Sequence, residues 1–113
     1  MTDKTTKIIT AQNDAFRRQQ NTDLIGRWVV THGMQAEGET FVREAVAEVV
    51  RFADFTAEND PYGERDFGAF TQNGHKLFWK IDYYDTAYAM GSDNPADPAQ
   101  TRRVLTLMLA SEY

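Results

Sequence analysis

From Lys76 to Tyr84 apolar and polar side chains alternate, which predicts a strand with two unlike faces. Leu77, Trp79, Ile81 and Tyr83 fall on one side, and Phe78, Lys80, Asp82 and Tyr84 on the other. Asp66 to Thr71 is the second arm of a hairpin, because Asn73-Gly74 between the arms is the pair that tight two-residue turns favour. Upstream, Arg27 to Thr31 (RWVVT) is a short β-rich run that ends at Gly33. Two segments repeat at helical spacing instead. In residues 5–20, Ile8, Ile9, Ala15 and Phe16 share one face. Arg17 and Arg18 lie near the end of that segment, where cations suit the helix dipole, and Asn21 and Gly26 bracket the exit. In residues 39–53, Val42, Ala45, Val46, Val49 and Ala53 form a stripe, supported by the pairs Glu39–Arg43 and Glu48–Arg51. Val46, Val50 and Phe52 also alternate, which is a rival strand pattern at the end of that segment.

Residues 54–65 read as a loop. Asn59-Asp60-Pro61 is turn chemistry, and Gly63 can supply a positive φ. A second loop, 85–97, is rich in Gly, Ser, Asp, Asn and Pro. After it, Asp97 fits a helix N-cap, Pro98 the first helical position and Gln100 a capping box. Val104, Leu105, Met108 and Leu109 would then be the buried stripe of a last helix. The expected fold is α+β, in the order α-β-α-β-β-α. A small antiparallel sheet, a strand plus the hairpin, is packed by three helices.

The chain has 113 residues, which suits a single domain, 1–113, large enough to bury a core without staples. No cysteine is present, so disulfides, thiol catalysis and cysteine-bound zinc are excluded. No run approaches the roughly 18 apolar residues of a membrane span. The first residues, MTDKTTKIITAQ, lack the apolar core of a signal peptide, and a cytoplasmic protein is expected. The net charge of −5 argues against direct nucleic-acid contact and suits a partner with a basic surface.

Two blocks, NDPYGERDFG with FWKIDYYD and the closing DPADPAQTRRVLTLMLASEY, resemble a family of short bacterial proteins catalogued as domain of unknown function 3768. The resemblance covers most of the chain and is densest from Asp54 onward. The family pattern carries His where Arg65 stands, so an activity built on that His would be missing in this chain. The resemblance implies a bacterial origin and frequent carriage on plasmids and other mobile DNA. It implies no activity and no catalytic residues.

The chemistry that the residues offer is acidic. Asp54, Glu58, Asp60, Glu64 and Asp66 are hard oxygen donors of the kind that Ca²⁺ and Mg²⁺ take. Their spacing is not that of an EF-hand. Counted from Glu58, position five is Tyr62 and position twelve is Ala69. A solvated loop whose side chains cap turns is the simpler account, and no metal or cofactor is expected. For hydrolysis, Asp66 and Asp82 are the best acid–base candidates, and Lys80 could complete a metal-dependent set. His75 beside the hairpin tip and His32 after the first strand suggest surface roles. Asp66-Phe67-Gly68 matches a kinase tripeptide, but every other kinase element is missing.

Phe67, Phe70, Phe78 and Trp79 on a small sheet could stack on bases, but the surrounding acids argue for core packing. Arg102 and Arg103 would oppose the dipole of the last helix. A salt bridge to Asp93, Asp97 or the acidic loop is the simpler offset, and an anion site the alternative. The expected function is binding a protein partner through Asp54, Glu58, Asp60, Tyr62, Glu64, Asp82 and Asp85. An inhibitor or adaptor of the anti-defence type, such as an anti-restriction or anti-CRISPR protein, would use such a surface on a basic groove. A small metal-assisted hydrolase built on the same acids is the alternative. No catalytic residue is assigned.

Overall fold

A computed structural model describes residues 4–20 and 22–113. Its elements in order are helix α1 (Lys4–Arg17), strand β1 (Ile25–Val30), helix α2 (His32–Ala36) and helix α3 (Glu39–Val50). Strands β2 (Phe67–Gln72), β3 (His75–Tyr84) and β4 (Arg102–Leu109) follow, and a 3-10 turn over Ala110–Glu112 closes the chain. The class is α+β, with one four-stranded mixed sheet in the order β1-β4-β3-β2. β3 runs antiparallel to both β2 and β4, while β1 and β4 are parallel.

The hairpin forms as its sequence dictates. Gln72 pairs with His75, and Asn73 and Gly74 take φ of 50° and 81°, both in the left-handed region that this turn requires. Leu77, Trp79 and Ile81 are buried on one face, as their alternation predicts. On β2, Gly68 lies opposite Trp79, and a Cβ there would sit 2.2 Å from the indole nitrogen. The indole therefore approaches too closely for any side chain at Gly68.

Helix α3 spans most of residues 39–53, and Phe41, Ala45 and Val49 are its buried positions. The exposed Glu39–Arg43 pair forms at 2.7 Å, and Arg51 also reaches Glu48. Helix α2 has no counterpart in the sequence reading, which ended an element at Gly33. Its Met34 is fully buried in the core, and the Glu112 carboxylate accepts the Gly33 N–H at 3.0 Å and the Thr31 hydroxyl at 2.7 Å. Those bonds, with the one from the Leu109 N–H, hold the Glu112 carboxyl below its ordinary range.

The expected last helix is instead strand β4. Asp97 does cap backbone, but it caps a turn: its carboxylate accepts the Ala99 N–H at 2.9 Å and the Gln100 side-chain amide at 2.7 Å. Arg103, Leu105 and Leu107 then alternate into the core. The element order is corrected accordingly, and the sheet is mixed because β4 enters parallel to β1.

The helices cover one face of the sheet. Met34, Phe41, Ala45 and Val49 pack on Trp79, Ile81, Leu105 and Leu107, with Phe16 of α1 against them. The stripe expected on α1 is also corrected, since Ile8 is 47% exposed while Ile9, Asn13 and Arg17 are buried. Asn21, expected to bracket the exit of α1, lies outside the described residues, and Gly26 falls inside β1. Among the described residues no helix is long and apolar enough to cross a membrane.

Candidate functional site

Helix α1 docks through polar groups that the hydrophobic pattern could not reveal. Arg17 is fully buried at its end and donates to the Val49 and Val50 carbonyls at 2.9 and 3.0 Å. Both carbonyls lie at the C-terminus of α3, where that of Val49 also accepts the Phe52 N–H at 3.2 Å, so one guanidinium helps to cap a neighbouring helix. Arg17 also pairs with Asp14 at 3.1 Å and lies over the rings of Phe55 and Trp79. Burial lowers its pKa and Asp14 opposes that shift. Asp14 continues the chain of charges to Arg65, at 3.0 Å.

A second network crosses the helix-covered face of the sheet. Asn13 Nδ2 donates to the Tyr83 hydroxyl at 2.8 Å and to the Glu64 carbonyl at 3.0 Å, while Arg103 Nε donates to Asn13 Oδ1 at 2.8 Å. The Tyr83 hydroxyl donates to Glu64 Oε1 at 2.8 Å. Burial, then the charges of Glu64 and Asp66, push the Tyr83 pKa far up, so the phenol keeps its proton as a donor. Arg103 reaches the Gln12 side chain and the Pro95 carbonyl, and Arg102 the Pro98 and Thr101 carbonyls. Neither arginine pairs with Asp93 or Asp97, which corrects the expected salt bridge. The alternative, an anion site at a helix N-terminus, falls because no helix begins there.

These contacts fix the 54–66 loop from the inside. Asp60 accepts the Arg65 N–H at 3.0 Å, and Arg65 sits at φ 54° with its guanidinium over Phe55. A left-handed arginine persists only where its surroundings over-determine it. Thr56 and Asn59 cap each other's N–H groups, and Asn59 also holds the Asp54 carbonyl at 2.9 Å. Gly63 takes φ 69°, as its place in the loop predicts. Between this loop and α1 lies a groove of about 480 Å³, with Lys7, Asp14, Asp60 and Arg65 around its apolar wall at Phe55.

The seven residues expected to bind a partner divide. Asp54, Glu58 and Tyr62 stand on the outer rim of the loop, and Tyr62 is 83% exposed. Asp60 and Glu64 are turned inward by the bonds just described. Asp85 caps its own turn, accepting N–H groups of Ala89 and Ala87 at 3.0 and 3.1 Å, which lower its pKa. Asp82 lies on the opposite sheet face and pairs with Lys80 at 3.1 Å.

Asp66, Lys80 and Asp82, the hydrolase candidates, share a second cleft of about 400 Å³ with Tyr62, Phe67 and Tyr113. Burial, and then the charges of Glu64, Asp60 and Asp82, raise the Asp66 pKa. His75 sits 3.1 Å from Glu37 and edge-on to Phe41, away from this cleft's lining. Among the described residues no three His, Cys, Asp or Glu side chains are placed to hold a metal ion. Sequence reasoning missed Asn13 and Asp14, and named Tyr83 and Arg103 without the bonds that join them through Asn13. Their one visible signal was polarity at positions that a helix or strand must bury.

A family model described as "Protein of unknown function (DUF3768)" matches residues 30–112, and the chain belongs to that family. The match takes in the loop, the hairpin and β4, whereas α1 precedes it. No curated protein and no solved structure shows significant similarity to the chain.

Proposed function

We propose that this DUF3768 member is a binding module that takes a protein partner by a basic surface, acting as an inhibitor or adaptor. The reading rests on one observation: Asp54, Glu58 and Tyr62 stand outward on a loop immobilised from behind. Among the described residues the Asp54 and Glu58 side chains make no ion pair or hydrogen bond, and Tyr62 is exposed. A rigid rim with free carboxylates and an aromatic ring loses little entropy on binding, and its charge favours a basic partner. An anti-defence role against a nucleic-acid-binding protein is the specific form of this proposal.

The informative variant is Asp54→Lys with Glu58→Lys, because reversing Asp60 or Glu64 would break internal bonds. Affinity capture from host lysate should retain a partner on the wild type and lose it on the double variant, with unchanged melting. Equal retention by both proteins would defeat the proposal.

The cleft that joins Asp66, Asp82 and Lys80 favours a hydrolase as the second reading, with Asp66 as the proton donor. In a hydrolysis screen with and without divalent ions, that reading requires an activity that Asp66→Asn removes.

A further inference from the structure

We propose that the face of the sheet left open by the helices is a platform for single-stranded nucleic acid. The net charge of the chain argues against phosphate contact, but the strands sort the charges. Among strand residues directed to the open face, Arg27, Lys76, Lys80 and Arg102 stand against one carboxylate, Asp82. Lys80 neutralises that carboxylate at 3.1 Å.

The other three cations have no acid partner among the described residues. Arg27 lies 3.9 Å from the centre of the Tyr88 ring, and Lys76 lies 5.6 Å from that of Phe78. Arg102 donates to the carbonyls of Pro98 and Thr101, at 3.3 and 3.1 Å. Three uncompensated cations on one face of an acidic protein are complementary to a polyanion.

Aromatic rings on the same face select among polyanions. Phe67 and Phe78 lie 5.1 Å apart, Tyr113 stacks its edge against Phe78 at 5.5 Å, and Tyr113 is 70% exposed. Phe67 and Phe78 were expected in the core, together with Phe70 and Trp79. The register instead puts only the latter two on the covered side. Every base offers a flat π-face to such rings, whereas an acidic peptide would use the cations and leave the rings idle. A duplex hides those faces, so the strand must be single. With strands about 4.8 Å apart, the sheet is wide enough for a few stacked nucleotides.

The test is fluorescence anisotropy of a labelled oligothymidylate titrated with the whole chain at low salt. Saturable binding is expected, with a log–log salt slope of about −2, since each neutralised phosphate on a single strand contributes about −0.7. Arg27→Glu with Lys76→Glu should weaken binding by at least about tenfold. Tyr113→Ala should weaken it about fivefold through lost stacking. Melting curves confirm that both variants are folded. The proposal is overturned if the folded wild type does not bind, or binds no better than the charge-reversed protein. It is also overturned if a polyglutamate peptide competes as well as the oligonucleotide, which would assign the face to an acidic peptide.

Discussion

The two faces of this sheet are made by the same four strands, yet they solve opposite problems. On the covered face, Trp79, Leu77, Leu105 and Leu107 are fully buried beneath the helices. On the open face, Val29 remains 40% exposed, and Lys80 and Asp82 keep more than a third of their side chains in solvent. The covered face also holds charge, in Arg17 and Arg103, but every such group is tied to neighbours by hydrogen bonds. Polarity therefore does not distinguish the faces. Commitment does: apart from Arg17 Nε and the Trp79 indole N–H, the covered polar groups are spent on internal bonds, while Arg27 and Lys76 on the open face keep capacity for a partner.

The largest expected contrast follows from burial. Trp79→Ala should cost about 3–5 kcal/mol, since it empties the centre of the core. Val29→Ala on the open face should stay within about 0.5 kcal/mol. Urea denaturation of both variants measures the difference, and similar losses would break the distinction between the faces.

The hairpin was legible because its alternation and its Asn73-Gly74 turn agree, and β1 and α3 because a β-rich run and a helical stripe outweighed the rival signals at their ends. Strand β4 was not, for a definite reason. Val104, Leu105, Met108 and Leu109 fit a helical stripe, and Asp97-Pro98-Ala99-Gln100 offers capping chemistry that a turn uses equally well. The competing alternation of Arg103, Leu105 and Leu107 begins with an arginine, which a hydrophobic count assigns to solvent. Helix α1 was located, since a helix is expected over residues 5–20, but its buried face was not, because that line runs Ile9, Asn13, Arg17. Hydrophobic periodicity locates elements that bury carbon. It misreads the inner face of elements that bury hydrogen-bonded polar groups, whose partners are distant in sequence. The site was legible to the same degree. The loop rim of Asp54, Glu58 and Tyr62 could be named, but the inward ties of Asp60 and Glu64 depend on Arg65 and Tyr83.

A smaller effect sharpens the idea of commitment. Asn13→Ala removes the acceptor for Arg103 Nε and the donor to the Tyr83 hydroxyl. The expected cost is about 2–3 kcal/mol, because a buried guanidinium loses a partner. In a double-mutant cycle, Asn13→Ala and Arg103→Met should couple by more than about 0.5 kcal/mol. Additive losses would mean that the two side chains only fill space.

The smallest effect lies at Asp66, the residue that leads into β2 beside the second cleft. Its carboxyl is raised above the ordinary 3.8 by burial first and by neighbouring acids second, so the native state holds its proton more tightly than the unfolded chain does. As pH climbs from the unfolded value through the native one, unfolding releases that proton, and stability falls. Above that window, ionised Asp66 opposes folding by a constant amount. Asp85 and Glu112 act with the opposite sign. Their lowered values give stability above the unfolded pKa that is lost as pH falls. The Asp66 contribution therefore shows only as a difference between proteins. Asp66→Asn should melt slightly above wild type at neutral pH, and the gap should close as the pH drops toward the unfolded value. A gap that stays constant across this range would show that Asp66 is not held out of water, and would remove it as a proton donor for the cleft.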